Sequence, residues 1–137
     1  MDHAHSEIPA GFVRHDRKSA VTEPWEPIFV RRTADAVQLA VRIAPAHCNG
    51  RGFLHGGVIA TLSDNAMGLT AVQASAAASA VTVSLTLDYV QTAAPGQWLQ
   101  VEPRVIRAEG RLGFVDALIT ADGRSIARAN ATFRILT

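Results

Sequence analysis

At 137 residues the chain has room for one domain with a substantial core, and not for two ordinary ones. Charged residues make up 18% and apolar ones 48%, and the formal net charge of +1 gives no overall pull toward nucleic acid or a membrane surface. The single cysteine, Cys48, excludes an internal disulfide and fits a reducing, cytoplasmic setting.

Residues 1–24 are polar and lack sustained periodicity, so a loose N-terminal leader is expected, with at most a short helix around Pro9 to Arg17. The leader shows no basic start followed by an apolar run, the mark of a secretory signal. A single domain is expected over 25–137. Pro24-Trp25-Glu26-Pro27 reads as a turn and Ile28 to Thr33 as a strand. Beyond Ala34-Asp35, Val37, Leu39, Val41 and Ile43 alternate with Gln38, Ala40 and Arg42, a half-buried strand hairpinned to the one before. The loop from Pro45 to Leu54 leads into a helix expected at about Gly56 to Gln73. Ala74 to Ala80 is locally low in complexity and reads as a connector. From Val81 the period changes to two, with Val81, Val83, Leu85, Leu87 and Tyr89 on one face and Thr82, Ser84, Thr86 and Asp88 on the other. Strands follow at about 97–108, 112–121 and 124–136, with turns at Pro95-Gly96, Glu109-Gly110 and Asp122-Gly123. The longest uncharged run, 65–87, breaks into this alternation and is no membrane span. The order is strand, strand, long helix, then four strands in meander. One helix cannot cover both faces of six strands, so the sheet should curl around it or pair with another copy.

The stretch from Asn49 to Gly68 carries the chemistry. Val58, Leu62, Ala66 and Leu69 recur at helical spacing, with Ile59 broadening the stripe, and should pack on the core. Gly57, Ala60, Thr61, Asp64, Gly68 and Ala71 lie on another side, nearly free of bulk, where a backbone or ligand can approach closely. Asp64 is the only charge between Arg51 and Asp88, and a lone carboxylate in an apolar run needs a reason. From His55 to Asp64 a helix rises roughly 13 Å. Those two ends cannot act on one atom within one chain, but they can if two helices lie antiparallel across a two-fold axis.

Asn49 stands six residues before His55-Gly56-Gly57, Asp64 nine after His55, and Thr82 opens the next strand, seven before Tyr89. In this pattern the chain resembles the hotdog-fold acyl-CoA thioesterases of the PaaI-like, phenylacetate-pathway type, relatives of the hydroxybenzoyl-CoA thioesterases. The resemblance implies an α+β fold in which about six curved antiparallel strands wrap a long central helix. It implies that the Gly56 N–H polarises the thioester carbonyl, a role suited to an unpaired amide at the positive end of a helix. Asp64 of the opposite subunit would be general base or nucleophile, and Thr82, where many relatives have Ser, would help hold the water. Ser84 is the fallback for Thr82, on the same face. Asn49 would contact the thioester or the water, His55 would brace the loop, and Gly57 would line the substrate site. The phosphates of coenzyme A need cations, for which Arg51 and Arg107, with Arg104 and Arg111, are candidates. No metal or organic cofactor is implied beyond coenzyme A as part of the substrate. The expected assembly is a homodimer, with two dimers joined as a tetramer, and no nucleic-acid or membrane partner.

Other readings weigh less. Cys48 with His47 or His55 matches no thiol-enzyme signature, and His47, Cys48, His55 and Asp64 match no familiar zinc spacing. His3 and His5 in the leader are expected to bind metal only adventitiously. A hotdog domain can bind acyl-CoA without cleaving it, as a sensor or scaffold, but this chain carries both an oxyanion donor and a carboxylate. A hotdog dehydratase would show an Asp and a His close together in one loop, which is missing here.

Overall fold

The structure, a computed structural model, describes residues 7–137; His3, His5 and the rest of 1–6 lie outside the described residues. Seven strands form one antiparallel sheet around a single long helix: β1 (Val13–Arg14), β2 (Phe29–Arg32), β3 (Val37–Arg42), α1 (Gly56–Ser75), β4 (Ser79–Tyr89), β5 (Trp98–Glu109), β6 (Leu112–Ala121) and β7 (Arg124–Leu136). Their order across the sheet is β1-β2-β3-β5-β6-β7-β4. This is the expected α+β hotdog architecture. The chain lays β4 at the far edge and inserts β5 to β7 between it and the first hairpin. No helix of the described residues is long and apolar enough to cross a membrane.

The concave face of the sheet supplies alternate apolar residues, among them Leu39, Val41, Leu99, Val101, Ile119 and Phe133, all nearly inaccessible. Onto them α1 lays Val58, Ile59, Leu62, Ser63, Ala66, Met67, Thr70 and Ala71. The buried stripe is thus rotated from the expected one: Leu69 is only partly buried, and Ala71, read as lying on the slender side, is fully covered. The sheet wraps more of the helix than a flat layer would. Thr70 tolerates this burial because its Oγ1 accepts from Val37 N–H at 3.0 Å and donates to the Ala66 carbonyl at 2.8 Å. Gly68 lets Phe133 approach closely, since a Cβ there would meet the ring at 3.3 Å. Asp122 and Gly123, with φ of 48° and 80°, close β6 on β7 in the two-residue turn expected of an Asp-Gly pair.

Two departures matter for the site. The leader is not loose over its described part. Val13 and Arg14 pair with Val30 and Phe29, which adds a seventh strand to the six expected. Phe12 is buried edge-on against Trp98 at 5.4 Å, with the Arg31 guanidinium 4.5 Å over its ring. His15 and Thr22 are buried as well, and a 3-10 turn follows at Glu23–Trp25. A two-residue strand is too short for alternation to reveal it.

The second departure is a bulge in β4. Thr82 pairs with Phe133 but Ser84 with Thr132, so Val83 is an extra residue. The inward face therefore runs through Thr82, then Leu85, Leu87 and Tyr89, opposite the buried Phe133, Ala131, Ala129 and Ala127. Ser84, expected to continue the face of Thr82, sits on the outward face.

Candidate active site

The loop before α1 is held by Asn49. Its Oδ1 accepts the N–H groups of Arg51 at 2.9 Å and Phe53 at 3.2 Å, and the bridge between Cys48 and Leu54 closes the turn. This leaves the side-chain amide nitrogen of Asn49 without an acceptor among the described residues. His47, 3% exposed, accepts from Ala44 N–H at Nδ1 and donates from Nε2 to the Trp25 carbonyl, so it is a fastener of the loop. Burial pushes the Cys48 thiol up, away from the thiolate a nucleophile requires. Among the described residues no three of His, Cys, Asp and Glu converge as metal ligands would.

His55 caps the helix. Its Nδ1 accepts from Gly57 N–H at 2.8 Å, which leaves the proton of the neutral ring on Nε2. Its carbonyl accepts from Val58 N–H at 3.0 Å and Ile59 N–H at 3.4 Å. Of the four amides that open the helix, this leaves the Gly56 N–H with no acceptor among the described residues. The Tyr89 hydroxyl, from the end of β4, donates to the Gly56 carbonyl at 2.8 Å.

Eight residues further along α1, the Thr82 hydroxyl donates to Asp64 Oδ1 at 2.6 Å. A hydroxyl bound to a carboxylate this closely is a charge-assisted bond that fixes the carboxylate's rotamer. Asp64 and Thr82 border a cleft of about 270 Å³, floored by Leu39, Leu69, Val72 and Phe133. Ala78 to Ala80 line it as well, and a further wall is the segment from His15 to Thr22, a strap from the opposite edge of the sheet. His15 is 8% exposed, and its Nδ1 has no hydrogen-bond partner among the described residues. Burial and then the nearby Arg32 hold this imidazole below its usual range.

The geometry therefore makes two half-sites. Gly56, Gly57, His55 and the Asn49 loop gather at the start of α1, and Asp64 with Thr82 beyond its second turn, about 12 Å away along the axis. One chain does not bring them together. Ser84 belongs to neither half. Arg51 is exposed on the loop beside Asn49. Arg107, proposed from sequence for coenzyme A phosphates, pairs with Glu109 at 2.7 Å. A bulge at Ile106 puts it opposite Phe114, on the sheet face away from α1. Arg104 lies on that face too, 4.0 Å from Asp116. Sequence reasoning did not single out Tyr89 as more than a strand residue, nor His15 and the strap; only contacts 33 or more residues apart reveal them.

Known proteins show similarity to the chain as a whole. The sequence model of the thioesterase superfamily matches residues 51–127. Over 130 residues the chain is 34% identical to a provisionally named esterase of Pseudomonas aeruginosa, covering 93% of this chain and 97% of that protein. It is 30% identical over 94 residues to human acyl-coenzyme A thioesterase 13, covering 67% of each. The PaaI protein of the Escherichia coli phenylacetic acid degradation operon superposes with a TM-score of 0.78 over 88% of this chain and 86% of its own, at 17% identity, and so shares the fold.

Proposed function

The chain belongs to the thioesterase superfamily, PaaI-like hotdog proteins, and we propose that it hydrolyses an acyl-coenzyme A at sites shared between two subunits. The carrying observation is the split of one helix into a free amide at Gly56 and a braced carboxylate at Asp64. Antiparallel pairing of two such helices sets each amide opposite the other subunit's carboxylate. Two features support that pairing. β4 ends the sheet with an edge unpaired among the described residues, on which Val81 and Val83 are 53% and 62% exposed. The less covered side of α1 is the slender one, with Gly57 exposed and Ala60 and Thr61 partly so.

In the reaction the thioester carbonyl accepts from Gly56 N–H. Asp64 takes a proton from water as the water oxygen bonds to the carbonyl carbon, and the negative charge moves to the oxygen facing the amide. As that charge returns to the carbon the C–S bond breaks, and the leaving thiolate takes up the proton that Asp64 holds, which restores the carboxylate. Thr82 holds Asp64 and the water in register. In the variant route Asp64 attacks the carbon itself, expelling the thiolate, and water opens the anhydride. When water attacks the Asp64 carbon, a single turnover in ¹⁸O-water leaves label in the Asp64 carboxylate, which the base route cannot do. An amide, a carboxylate, a hydroxyl and water suffice, so no cofactor is called for.

Asn49 Nδ2 and Arg51 face the substrate from the amide side. Ile106, Phe114 and Leu118, exposed on the outer sheet face, support the joining of two dimers as a tetramer. The unpaired thiol of Cys48 accords with a reducing cytoplasm.

The test is thiol release from phenylacetyl, benzoyl and straight-chain acyl-coenzyme A substrates. Wild type should turn over at least one, and Asp64→Ala and Asp64→Asn should each lose at least about a hundredfold in kcat. Equal binding of acyl-coenzyme A by all three proteins, without cleavage by any, would instead make the domain a binding module.

A further inference from the structure

An amide that stabilises an oxyanion works best when it is free of other acceptors and fixed in direction before the reaction begins. Two successive glycines make the second condition hard to meet, because neither carries a Cβ to restrict its backbone. Here the Gly56–Gly57 peptide is held at both poles. Its N–H donates to His55 Nδ1 and its carbonyl accepts from the Tyr89 hydroxyl, each at 2.8 Å. The preceding peptide, which carries the Gly56 N–H, has its own carbonyl engaged by Val58 and Ile59. The Tyr89 ring also lies against Gly56, 3.2–3.3 Å from where a Cβ would stand. The helix start is thus wedged between its own cap and the end of a strand 33 residues away.

We propose that Tyr89 is a positioning residue for thioester hydrolysis, clamping the Gly56–Gly57 peptide so that the Gly56 N–H points at the substrate carbonyl. The proposal rests on the thioesterase reading and adds to it a side chain that touches no reacting atom. Burial raises the Tyr89 hydroxyl above its usual range, so it carries its proton and donates at neutral pH. The clamp also gives a reason for glycine at position 56: any side chain there would press on the ring that holds the peptide.

The test substitution is Tyr89→Phe, which keeps the ring against Gly56 and removes only the hydroxyl. Loss of an oxyanion donor itself costs about 10²–10³ in kcat. Loosening one should cost about tenfold in kcat with KM unchanged within about twofold, since ground-state binding is largely untouched. A second readout does not depend on turnover. Acyl-coenzyme A labelled with ¹³C at the thioester carbonyl is bound to Asp64→Asn, and the infrared carbonyl band is compared with that of the free thioester. With Tyr89 present the band should shift down; with Tyr89→Phe added it should move back toward the free value. A band equally shifted with and without the hydroxyl, together with an unchanged kcat, would overturn the role of Tyr89, even if the variant melted earlier. A band unshifted while Tyr89 is present would instead remove Gly56 as the oxyanion donor, and with it the mechanism on which the proposal rests.

Discussion

Asp64 is braced by one hydroxyl, that of Thr82 at 2.6 Å, and this bond makes a prediction that separates two neighbouring residues. Thr82→Val keeps the shape of the side chain and removes the donor. It should lower kcat about tenfold, the worth of a hydrogen bond to a charged group. Ser84→Ala should leave kcat within about twofold, because the bulge at Val83 turns Ser84 outward. Steady-state thiol release by the two variants checks both; equal losses would mean that the strand turns as unbroken alternation predicts. The contrast also shows what residues disclose by themselves. Asp64 stands out because no other charge lies between Arg51 and Asp88, and His55-Gly56-Gly57 because it opens a helical apolar stripe. Whether Thr82 or Ser84 reaches that carboxylate depends on one extra residue in a ladder with β7, a pairing between distant segments. The contact of Tyr89 with Gly56 is hidden in the sequence for the same reason.

At the scale of elements, α1 and β2 to β7 were legible from periodicity and turn chemistry, because each buries one side and so imposes a period of 3.6 or two on its sequence. The strap from His15 to Thr22 imposes neither. It is held by Phe12 against Trp98 and by the two pairs of β1, contacts without a repeat. Its buried His15 gives it a titration of its own. Desolvation and Arg32 lower the imidazole, Arg17 adds to this, and Asp16 and Glu26 oppose it. The unfolded chain therefore takes up a proton that the folded chain resists, so stability rises with pH between the two pKa values and is lost as pH falls through the ordinary histidine range. The thermal midpoint should drop on going from about pH 7 to about pH 5. His15→Gln should flatten part of that slope. An identical slope in the variant would show that His15 is as accessible to protons folded as unfolded.

At the scale of the molecule, the fold places the two half-sites about 12 Å apart along one helix, and under the proposed function a second copy completes each. The exposed edge of β4, the slender side of α1 and the separation of Gly56 from Asp64 along the helix all follow from one long helix laid in a curved sheet whose edge strand β4 pairs on one side only among the described residues. Symmetry turns this into a direct experiment. Gly56→Pro deletes the amide hydrogen, and His55, with φ of −73° and ψ of 131°, already has the extended backbone that precedes proline; the pressure of the new ring on Tyr89 falls only on the half-site that has lost its amide. Asp64→Ala deletes the carboxylate. Each homodimer should be nearly inactive.

The measurement to make is the thioesterase activity of the heterodimer of these two variants, isolated by a different affinity tag on each chain. Sites shared across the interface predict about half of wild-type turnover, because one of the two sites regains both groups while the other loses both. A heterodimer no more active than its parents would contradict the account, since it would mean that Gly56 and Asp64 do not meet across the subunits.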